Sequence, residues 1–174
     1  MLVQLTGLSG AGKTTIADAV KHKLALRGIA VRVIDGDLYR KTICRDLGFS
    51  KEDRQENIRR LGSVAVQSLE ENRVAILAAI NPYQEIRTEL KEKYKARTVY
   101  VECDLDTLLQ RDTKGLYKRA LLPEEHPEKL FSLTGINDPY EVPVDADLVL
   151  KTDIEAVNES VEKLYTFILD HIGL

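Results

Sequence analysis

Short apolar runs alternate along this chain with longer stretches of helical periodicity. Runs rich in Val, Ile and Leu indicate buried strands, and apolar residues three and four positions apart indicate helices that dock on a core. The pattern predicts strands at residues 2–6, 31–34, 74–79, 98–102 and 147–150. It predicts helices near residues 13–27, 38–46, 52–72, 83–94, 104–111 and 154–172.

This alternation is the arrangement that builds a mostly parallel sheet with helices on both faces. No repeat, low-complexity tract or linker composition divides the chain, and 174 residues with 44% hydrophobic residues suffice for a full core. We therefore predict a single α/β domain over residues 1–174, with three layers and a five-stranded sheet. In such folds ligands bind at the carboxyl ends of the strands.

The turn after the first predicted strand carries the strongest chemical signal. Residues 7–14 read Gly-Leu-Ser-Gly-Ala-Gly-Lys-Thr, the GxxxxGK[ST] pattern of a phosphate-binding loop (P-loop) between a strand and a helix. Its glycines let backbone N–H groups face phosphate oxygens, and the helix N-terminus adds positive potential. Lys13 is expected to reach the β- and γ-phosphates, and Thr14 to ligate Mg²⁺. The residues predicted to bind ATP here are Gly7, Leu8, Ser9, Gly10, Ala11, Gly12, Lys13, Thr14 and Thr15.

Two carboxylates, Asp35 and Asp37, follow the second predicted strand. In a parallel sheet they lie at the edge that carries the phosphate loop. Mg²⁺ accepts carboxylate and hydroxyl oxygens, and an acceptor hydroxyl needs a group that takes its proton. The position predicts a metal-linked acid pair, and an Asp-Gly turn without chemical function is the alternative.

Basic residues concentrate in residues 40–60, although the whole chain has a net charge of −3. Cations close to a phosphate loop indicate an anionic acceptor, and arginine suits phosphate or sulfate because its donors form a flat fork. Phe49, which follows a glycine in this stretch, is a candidate for stacking on a base, with a core aromatic as the alternative.

Residues 112–146 interrupt the alternation. This segment contains Lys114 and four of the five prolines, and it shows no clear strand. A long irregular segment in a compact domain is usually a lid or a binding loop, and a lid over phosphates keeps water away from the phosphoryl group. We predict a lid over approximately residues 112–146, with a solvated insertion as the alternative.

Several classes of protein are disfavoured. No acidic residue ends the third predicted strand as a Walker-B aspartate would, and no Asn-Lys-x-Asp motif for guanine is present. Cys44 and Cys103 fit no metal or redox spacing, and the acidic composition argues against nucleic acid as a partner. No apolar run is long enough to span a membrane, and no signal peptide is expected before the first strand. We expect a cytoplasmic small-molecule kinase, with a nucleotide-dependent switch module as the alternative.

Taken together, the motifs resemble those of adenylylsulfate (APS) kinases, a family of P-loop kinases. The matching stretches are residues 6–15, 35–40, 46–50, 53–62, 111–117, 134–136 and 138–141, which span nearly the whole chain. The family transfers the γ-phosphoryl group of ATP to the 3′-hydroxyl of adenosine 5′-phosphosulfate (APS). The product is PAPS, the activated sulfate donor.

The resemblance also implies roles for individual residues. The catalytic set would be Lys13, Asp35 as the metal-linked base, and Lys114 from the lid, while Arg111 would lie beside the ATP base. Mg²⁺ would be the cofactor, held by Thr14 and Asp35. The implied acceptor-binding residues are Asp37, Arg40, Phe49, Arg54, Asn57, Ile80, Asn81, Lys114, Leu133 and Gly135. ATP and APS would be the small-molecule partners, the chain would form a homodimer, and an ATP sulfurylase would be a functional partner.

Three features depart from the family pattern. The family usually has serine at the position of Asn81 and phenylalanine at the position of Leu133, and many relatives have a segment before the first strand. An amide is not phosphorylated as a hydroxyl is, so direct in-line transfer is expected. Leucine keeps an apolar wall but loses an aromatic pairing worth about 0.5–1.5 kcal/mol. A related kinase that acts on another nucleotide-linked acceptor is the alternative that these changes leave open.

Overall fold

Five parallel strands form one sheet in the computed structural model, which describes all residues from 1 to 174. The strands are β1 (Leu2–Thr6), β2 (Val31–Asp35), β3 (Val74–Ala78), β4 (Arg97–Glu102) and β5 (Leu148–Lys151). Their order across the sheet is β2-β3-β1-β4-β5, and every neighbouring pair is parallel. The five predicted strands are confirmed to within one residue at each end.

Helices cover both faces of the sheet, as predicted. They are α1 (Lys13–Ala25), α2 (Gly36–Tyr39), α3 (Lys51–Ser68), α4 (Gln84–Tyr94), α5 (Leu105–Arg111), α6 (Leu116–Ala120) and α7 (Val157–Ile172). Alternate residues of β1 enter different apolar clusters because successive side chains of a strand point to opposite faces. Val3 and Leu5 pack with the side chains of α1 and α7, whereas Leu2 packs with those of α3 and α4.

The helix predicted at residues 38–46 is wrong for most of its length. The helix α2 covers only Gly36–Tyr39, and turns follow it. Arginine side chains bind carbonyls in this stretch and just after it, since Arg60 Nη1 donates to the Ile43 carbonyl at 2.9 Å and Arg40 Nη1 to the Gly48 carbonyl at 2.7 Å. These carbonyls are satisfied without a helix, which stabilises the turns.

The 112–146 segment contains one helix that the sequence analysis did not predict. This helix, α6, begins after Gly115, whose φ of 63° lies in the left-handed region that favours glycine. The side chain of Asp112 accepts hydrogen bonds from the N–H groups of Tyr117 and Lys118 at 3.1 and 2.9 Å, which caps the first turn. The rest of the segment consists of turns and irregular backbone with one isolated bridge between Thr134 and Asp138.

The carboxyl ends of the three strands β1, β2 and β3 meet at one edge of the sheet. Residues 7–12 join β1 to α1 at this edge, Asp35 ends β2, and residues 79–81 follow β3. The edge therefore brings the phosphate loop and both aspartates together. No helix is at once long enough and apolar enough to cross a lipid bilayer.

Candidate active site

The loop between β1 and α1 has the backbone conformation of a phosphate-binding loop. Gly10 and Gly12 have φ values of 79° and 95°, which side-chain-bearing residues rarely adopt. A Cβ atom on Gly7 would lie 2.4 Å from the Val101 carbonyl oxygen, so only glycine fits there. These glycines curl the loop around a cavity at the N-terminus of α1.

This phosphate cavity has a volume of about 210 Å³. The predicted ATP-binding residues that line it are Ser9, Gly10, Gly12, Lys13, Thr14 and Thr15. Asp35, Asp37 and Lys114 line it from the opposite side. Gly7, Leu8 and Ala11 do not line the cavity, because they form the part of the loop that packs on the rest of the protein.

Lys13 is buried at the base of the phosphate cavity. Its Nζ donates to the carbonyls of Gly7 at 2.9 Å and Leu8 at 2.7 Å. Burial, which disfavours the charged form, lowers the pKa of Lys13 to about 8. Lys114 lowers it further, while Asp37 and Asp35 raise it. An anionic ligand in the cavity would favour the protonated form of this lysine.

Thr14 and Asp35 offer a pair of hard oxygen atoms at the mouth of the cavity. The Thr14 hydroxyl donates to Asp35 Oδ2 at 2.6 Å, and Asp35 Oδ1 accepts from the N–H groups of Asp37 and Leu38 at 2.8 and 3.2 Å. One hydroxyl and one carboxylate fit Mg²⁺, which binds to few protein ligands and keeps water and phosphate oxygens. No group of three or more His, Cys, Asp or Glu side chains is arranged for a metal elsewhere.

A second cavity of about 480 Å³ adjoins the first. The predicted acceptor-binding residues that line it are Asp37, Arg40, Phe49, Arg54, Asn57, Ile80, Asn81, Lys114 and Leu133. The cavity combines an apolar wall with two arginines, which suits a ligand that has both an aromatic base and an anionic group. We call it the acceptor cavity.

Phe49 is 57% exposed, so it is not the core aromatic of the alternative interpretation. The guanidinium carbons of Arg40 and Arg54 lie 4.9 and 5.4 Å from the centre of its ring. Leu133, which stands where the family usually has phenylalanine, is buried in the wall of the same cavity. One exposed ring therefore remains for stacking on a base.

Arg54 is almost fully buried, and its donors bind the protein itself. Its Nη1 donates to Thr134 Oγ1 at 3.0 Å and its Nη2 to the Ser132 carbonyl at 2.7 Å, and Nη2 also contacts the Asp138 carboxylate. Its Nε donates to the Phe49 carbonyl at 2.9 Å. Arg54 thus builds the cavity wall, which leaves it fewer free donors for an acceptor than the sequence suggested.

Two residues that line the acceptor cavity have a buried amide oxygen without a hydrogen-bond partner. These residues are Asn57 and Asn81. Asn81 has a φ of 47°, a left-handed conformation that asparagine tolerates, and its Nδ2 donates to Gln4 Oε1 at 3.0 Å. Buried oxygens without a partner are uncommon and point to a donor that is supplied from elsewhere.

The two cavities meet at five shared residues, namely Ser9, Asp37, Ala79, Ile80 and Lys114. Among them, Lys114 forms an ion pair with Asp37 across the junction. Asp35 lines only the phosphate cavity. The acid closest to both cavities is therefore Asp37.

Besides Gly7, Leu8 and Ala11, two further predicted site residues lie outside both cavities. Arg111, at the end of α5, donates to the Thr152 carbonyl at 2.6 Å and to Cys103 Sγ at 3.5 Å. Gly135 packs against Leu8, since a Cβ atom on it would lie 2.6 Å from Leu8 Cδ2. Gly135 therefore brings the 112–146 segment close to the phosphate loop without lining the acceptor cavity.

Sequence reasoning did not select several residues that line the cavities. Thr113 lines the phosphate cavity, and Lys41, Leu116, Leu130, Ser132 and Thr134 line the acceptor cavity. Five of these six, all except Lys41, lie inside the predicted lid, and Thr113, Leu116 and Thr134 also lie inside matched stretches. All five lie within a few residues of Lys114 or Leu133 in the sequence, and this proximity is the signal that could have indicated them.

Several known proteins are similar to this chain over most of its length. The family model described as adenylylsulphate kinase matches residues 1–151. An adenylyl-sulfate kinase of Microcystis aeruginosa is 45% identical over 164 residues, which cover 94% of this chain and 88% of that protein. The structure of the Mycobacterium tuberculosis APS kinase CysC in complex with AMPPNP and APS has a TM-score of 0.84 at 33% identity, over 96% of each chain. A hexameric APS kinase from Thiobacillus denitrificans has a TM-score of 0.69 at 30% identity, over 99% of this chain and 29% of that one. The chain belongs to the adenylylsulphate kinase family.

Proposed function

We propose that this protein transfers the γ-phosphoryl group of ATP to the 3′-hydroxyl of APS and releases PAPS and ADP. The observation that carries the proposal is the junction of the two cavities at Asp37 and Lys114. A triphosphate in the phosphate cavity and a nucleotide in the acceptor cavity would have their reacting ends at this junction. Membership of the family and the complex of its relative with AMPPNP and APS support this assignment of the two ligands.

The phosphate cavity is suited to hold the phosphates of ATP. Backbone N–H groups of the loop and the N-terminus of α1 favour anions, and Lys13 adds a buried charge. Thr14 and Asp35 would hold Mg²⁺, which neutralises charge on the phosphates when it is bound. Lys114 would leave Asp37 and bind to the phosphates.

Asp37 is placed better than Asp35 to take the proton of the acceptor hydroxyl. Asp35 is committed to Thr14 and to the N-terminus of α2, and it does not line the acceptor cavity. We therefore assign the metal to Asp35 and the proton to Asp37. As the 3′-oxygen bonds to the γ-phosphorus, the bond to ADP breaks and the hydroxyl proton passes to the Asp37 carboxylate.

Transfer would be direct. Asn81, at the position where the family usually has serine, carries no hydroxyl that could accept a phosphoryl group. Its side chain is buried and donates to Gln4. The unpartnered Asn57 oxygen would accept a hydrogen bond from the acceptor nucleotide, and Phe49 would stack on its base.

We also propose that the 112–146 segment acts as the lid within one domain of residues 1–174. Its support is that Thr113 and Lys114 line the phosphate cavity, while Leu130 and Leu133 line the acceptor cavity. Closure by one segment would exclude water from both reactants together.

A homodimer and a functional link to an ATP sulfurylase stay predictions that follow from the resemblance, and a cytoplasmic location stays a prediction from the sequence pattern. Light scattering during size-exclusion chromatography tests the first of them. A homodimer would have twice the mass of one chain, which is 19.6 kDa.

An acceptor panel tests the proposed function. ADP release is measured with Mg²⁺-ATP alone, with APS, with AMP, and with other nucleotide-linked acceptors. We expect turnover that depends on APS and is weak with AMP, because AMP lacks the sulfate group. Turnover only with another acceptor would support the related kinase that Leu133 leaves open, and ADP release without any acceptor would refute the proposal.

A further inference from the structure

A cluster of buried polar side chains lies beneath the acceptor cavity, on the face of the sheet that α3 and α4 cover. Gln4, Asn81, Arg87 and Thr98 belong to it, and each is at most 2% exposed. Gln4 Nε2 donates to the Arg87 carbonyl at 2.9 Å and to Thr98 Oγ1 at 3.0 Å, while its Oε1 accepts from Asn81. The cluster thus joins β1, β4, α4 and the residues that follow β3.

Arg87 is the charged member of this cluster. Its Nη1 donates to the Asn81 carbonyl at 2.8 Å, and its Nη2 donates to the Glu141 carbonyl at 2.7 Å and to Gln84 Oε1 at 2.9 Å. All three acceptors are neutral, so no ion pair offsets the cost of burying this cation. The planar guanidinium group of Arg87 instead holds two carbonyl groups at a fixed separation. One of them, the Asn81 carbonyl, follows β3. The other is the Glu141 carbonyl. It belongs to residues 140–141, near the end of the 112–146 segment, which we call the exit.

Two more contacts join this exit to the strand ends. Tyr140 Oη lies 2.9 Å from Thr6 Oγ1. Because Thr6 Oγ1 donates to the carbonyls of residues 80–81 at 2.9 and 3.0 Å, the Tyr140 hydroxyl is the donor in this pair. The Glu141 N–H donates to the Pro82 carbonyl at 2.8 Å. These hydrogen bonds therefore hold the exit next to Thr6, the residue that precedes the phosphate loop.

Residues 132–138 come directly before this exit and supply part of the acceptor-cavity wall. Arg54 binds Ser132, Thr134 and Asp138 of this wall. Leu133 packs in the core, Gly135 packs against Leu8, and the exit follows at residues 140–141. Residues 132–138 belong to no strand of the sheet, whereas β1 pairs with both β3 and β4. The wall therefore depends on side-chain contacts for its position far more than the phosphate loop does.

We infer that Arg87 is a positioning residue for the acceptor, because it fixes the exit at residues 140–141 and thereby holds the wall of residues 132–138 in place. It lines neither cavity itself. The inference rests on the proposed function, since it assigns this wall to the acceptor. Loosening the exit shifts the wall, while the strand pairing of β1 keeps the phosphate loop in position.

Two substitutions test this role. Arg87→Lys keeps the charge but cannot hold two carbonyls with one planar group, and Tyr140→Phe removes a single hydroxyl. Each is expected to raise the KM for APS by about fivefold or more, which is the factor that one lost hydrogen bond produces, with the KM for ATP changed by less than about twofold. Arg59→Lys is the matched control, because Arg59 joins α3 to α4 at the surface through its ion pair with Glu89.

Amide hydrogen exchange of the free protein gives a second readout that needs no turnover. Exchange in residues 132–138 should be faster in Arg87→Lys and Tyr140→Phe than in the wild type and in Arg59→Lys, with residues 8–14 unchanged. If the wild type did not phosphorylate APS, the proposed function would fail, while exchange would still test the position of the wall.

The inference is overturned if both KM values rise in parallel, if the KM for APS does not change, or if exchange in the wall is unaltered. Should Arg87→Lys fail to fold, Tyr140→Phe decides the matter on the same criteria.

Discussion

Asp37 and Lys114 are oppositely charged side chains that close the junction between the two cavities. Their side chains are 70% and 52% exposed, respectively. Ion pairs between exposed side chains stabilise a protein by only about 0–1 kcal/mol, so the phosphates of ATP can replace Asp37 as the partner of Lys114. Exchange of partners would leave the Asp37 carboxylate free to accept a proton from the acceptor.

The first prediction separates the roles of the two aspartates. Asp37→Asn should lower kcat with APS by at least about 10²-fold with little change in ATP affinity, because it removes a proton acceptor. Asp35→Asn should instead raise the Mg²⁺ concentration that gives half-maximal activity. Steady-state kinetics over a Mg²⁺ titration measure both effects. A normal kcat in Asp37→Asn would assign the proton to another group.

The second prediction concerns the pH dependence of ATP binding. Because burial lowers the pKa of Lys13 to about 8, the free enzyme loses this cation as the pH rises through that value. The cation attracts phosphate, so the Kd for ATP should be flat between about pH 7 and 8 and then rise by up to about tenfold per pH unit. Isothermal titration calorimetry measures this directly.

Lys13→Ala is the control for that titration. It should bind ATP weakly without the rise above pH 8, and its kcat/KM should fall by at least about 10²-fold, since a preorganised charge is lost. A wild-type Kd that stays constant up to pH 9.5 would show that Lys13 does not govern the affinity.

Among the secondary-structure elements, the short helix α6 links the 112–146 segment to the phosphate loop. The Tyr117 hydroxyl donates to the Ser9 carbonyl at 2.7 Å, and Ser9 lines both cavities. Burial raises the pKa of Tyr117 to about 12, so the hydroxyl stays a donor at neutral pH. The helix therefore fixes the side of the segment that carries Lys114.

The third prediction tests this link. Tyr117→Phe leaves a carbonyl of the phosphate loop without its donor, which should cost about 1–3 kcal/mol of unfolding free energy and lower Tm by several degrees. The KM for ATP should rise as well. Tyr94→Phe is the matched control, because the Tyr94 hydroxyl contacts Ser63 at the surface at 3.4 Å. Equal effects of both substitutions would argue against a link between α6 and ATP binding.

For the whole molecule, apolar periodicity predicted the sheet because each strand is a short, mainly apolar run, and β1 and β3 are fully buried between the two layers of helices. It failed where contacts distant in sequence decide the backbone. The turns after α2 depend on Arg60, which lies on α3, and α6 depends on Ser9 as the partner of Tyr117. Such contacts leave no periodic signal in the local sequence.

At the candidate site, too, the sequence predicted some features and missed those that depend on contacts distant in sequence. The phosphate-loop motif and the family resemblance predicted many of the residues that line the two cavities, and strand ends and glycine turns fix the places of those around the phosphate loop. Neither predicted that Arg54 would bind the wall or that Gly135 would pack on Leu8, since both contacts join segments far apart in the chain. Only the structure reveals which of these distant segments contact each other.

The central claim is that one phosphoryl group passes directly from ATP to APS across the junction at Asp37 and Lys114. The most direct test incubates the protein with Mg²⁺, APS and ATP that is labelled in its γ-phosphate, and then separates nucleotides, inorganic phosphate and protein. We predict label in the 3′-phosphate of PAPS, in a one-to-one ratio with ADP, and none bound covalently to the protein. Label that appeared as inorganic phosphate or on the protein, with no labelled PAPS, would contradict the account.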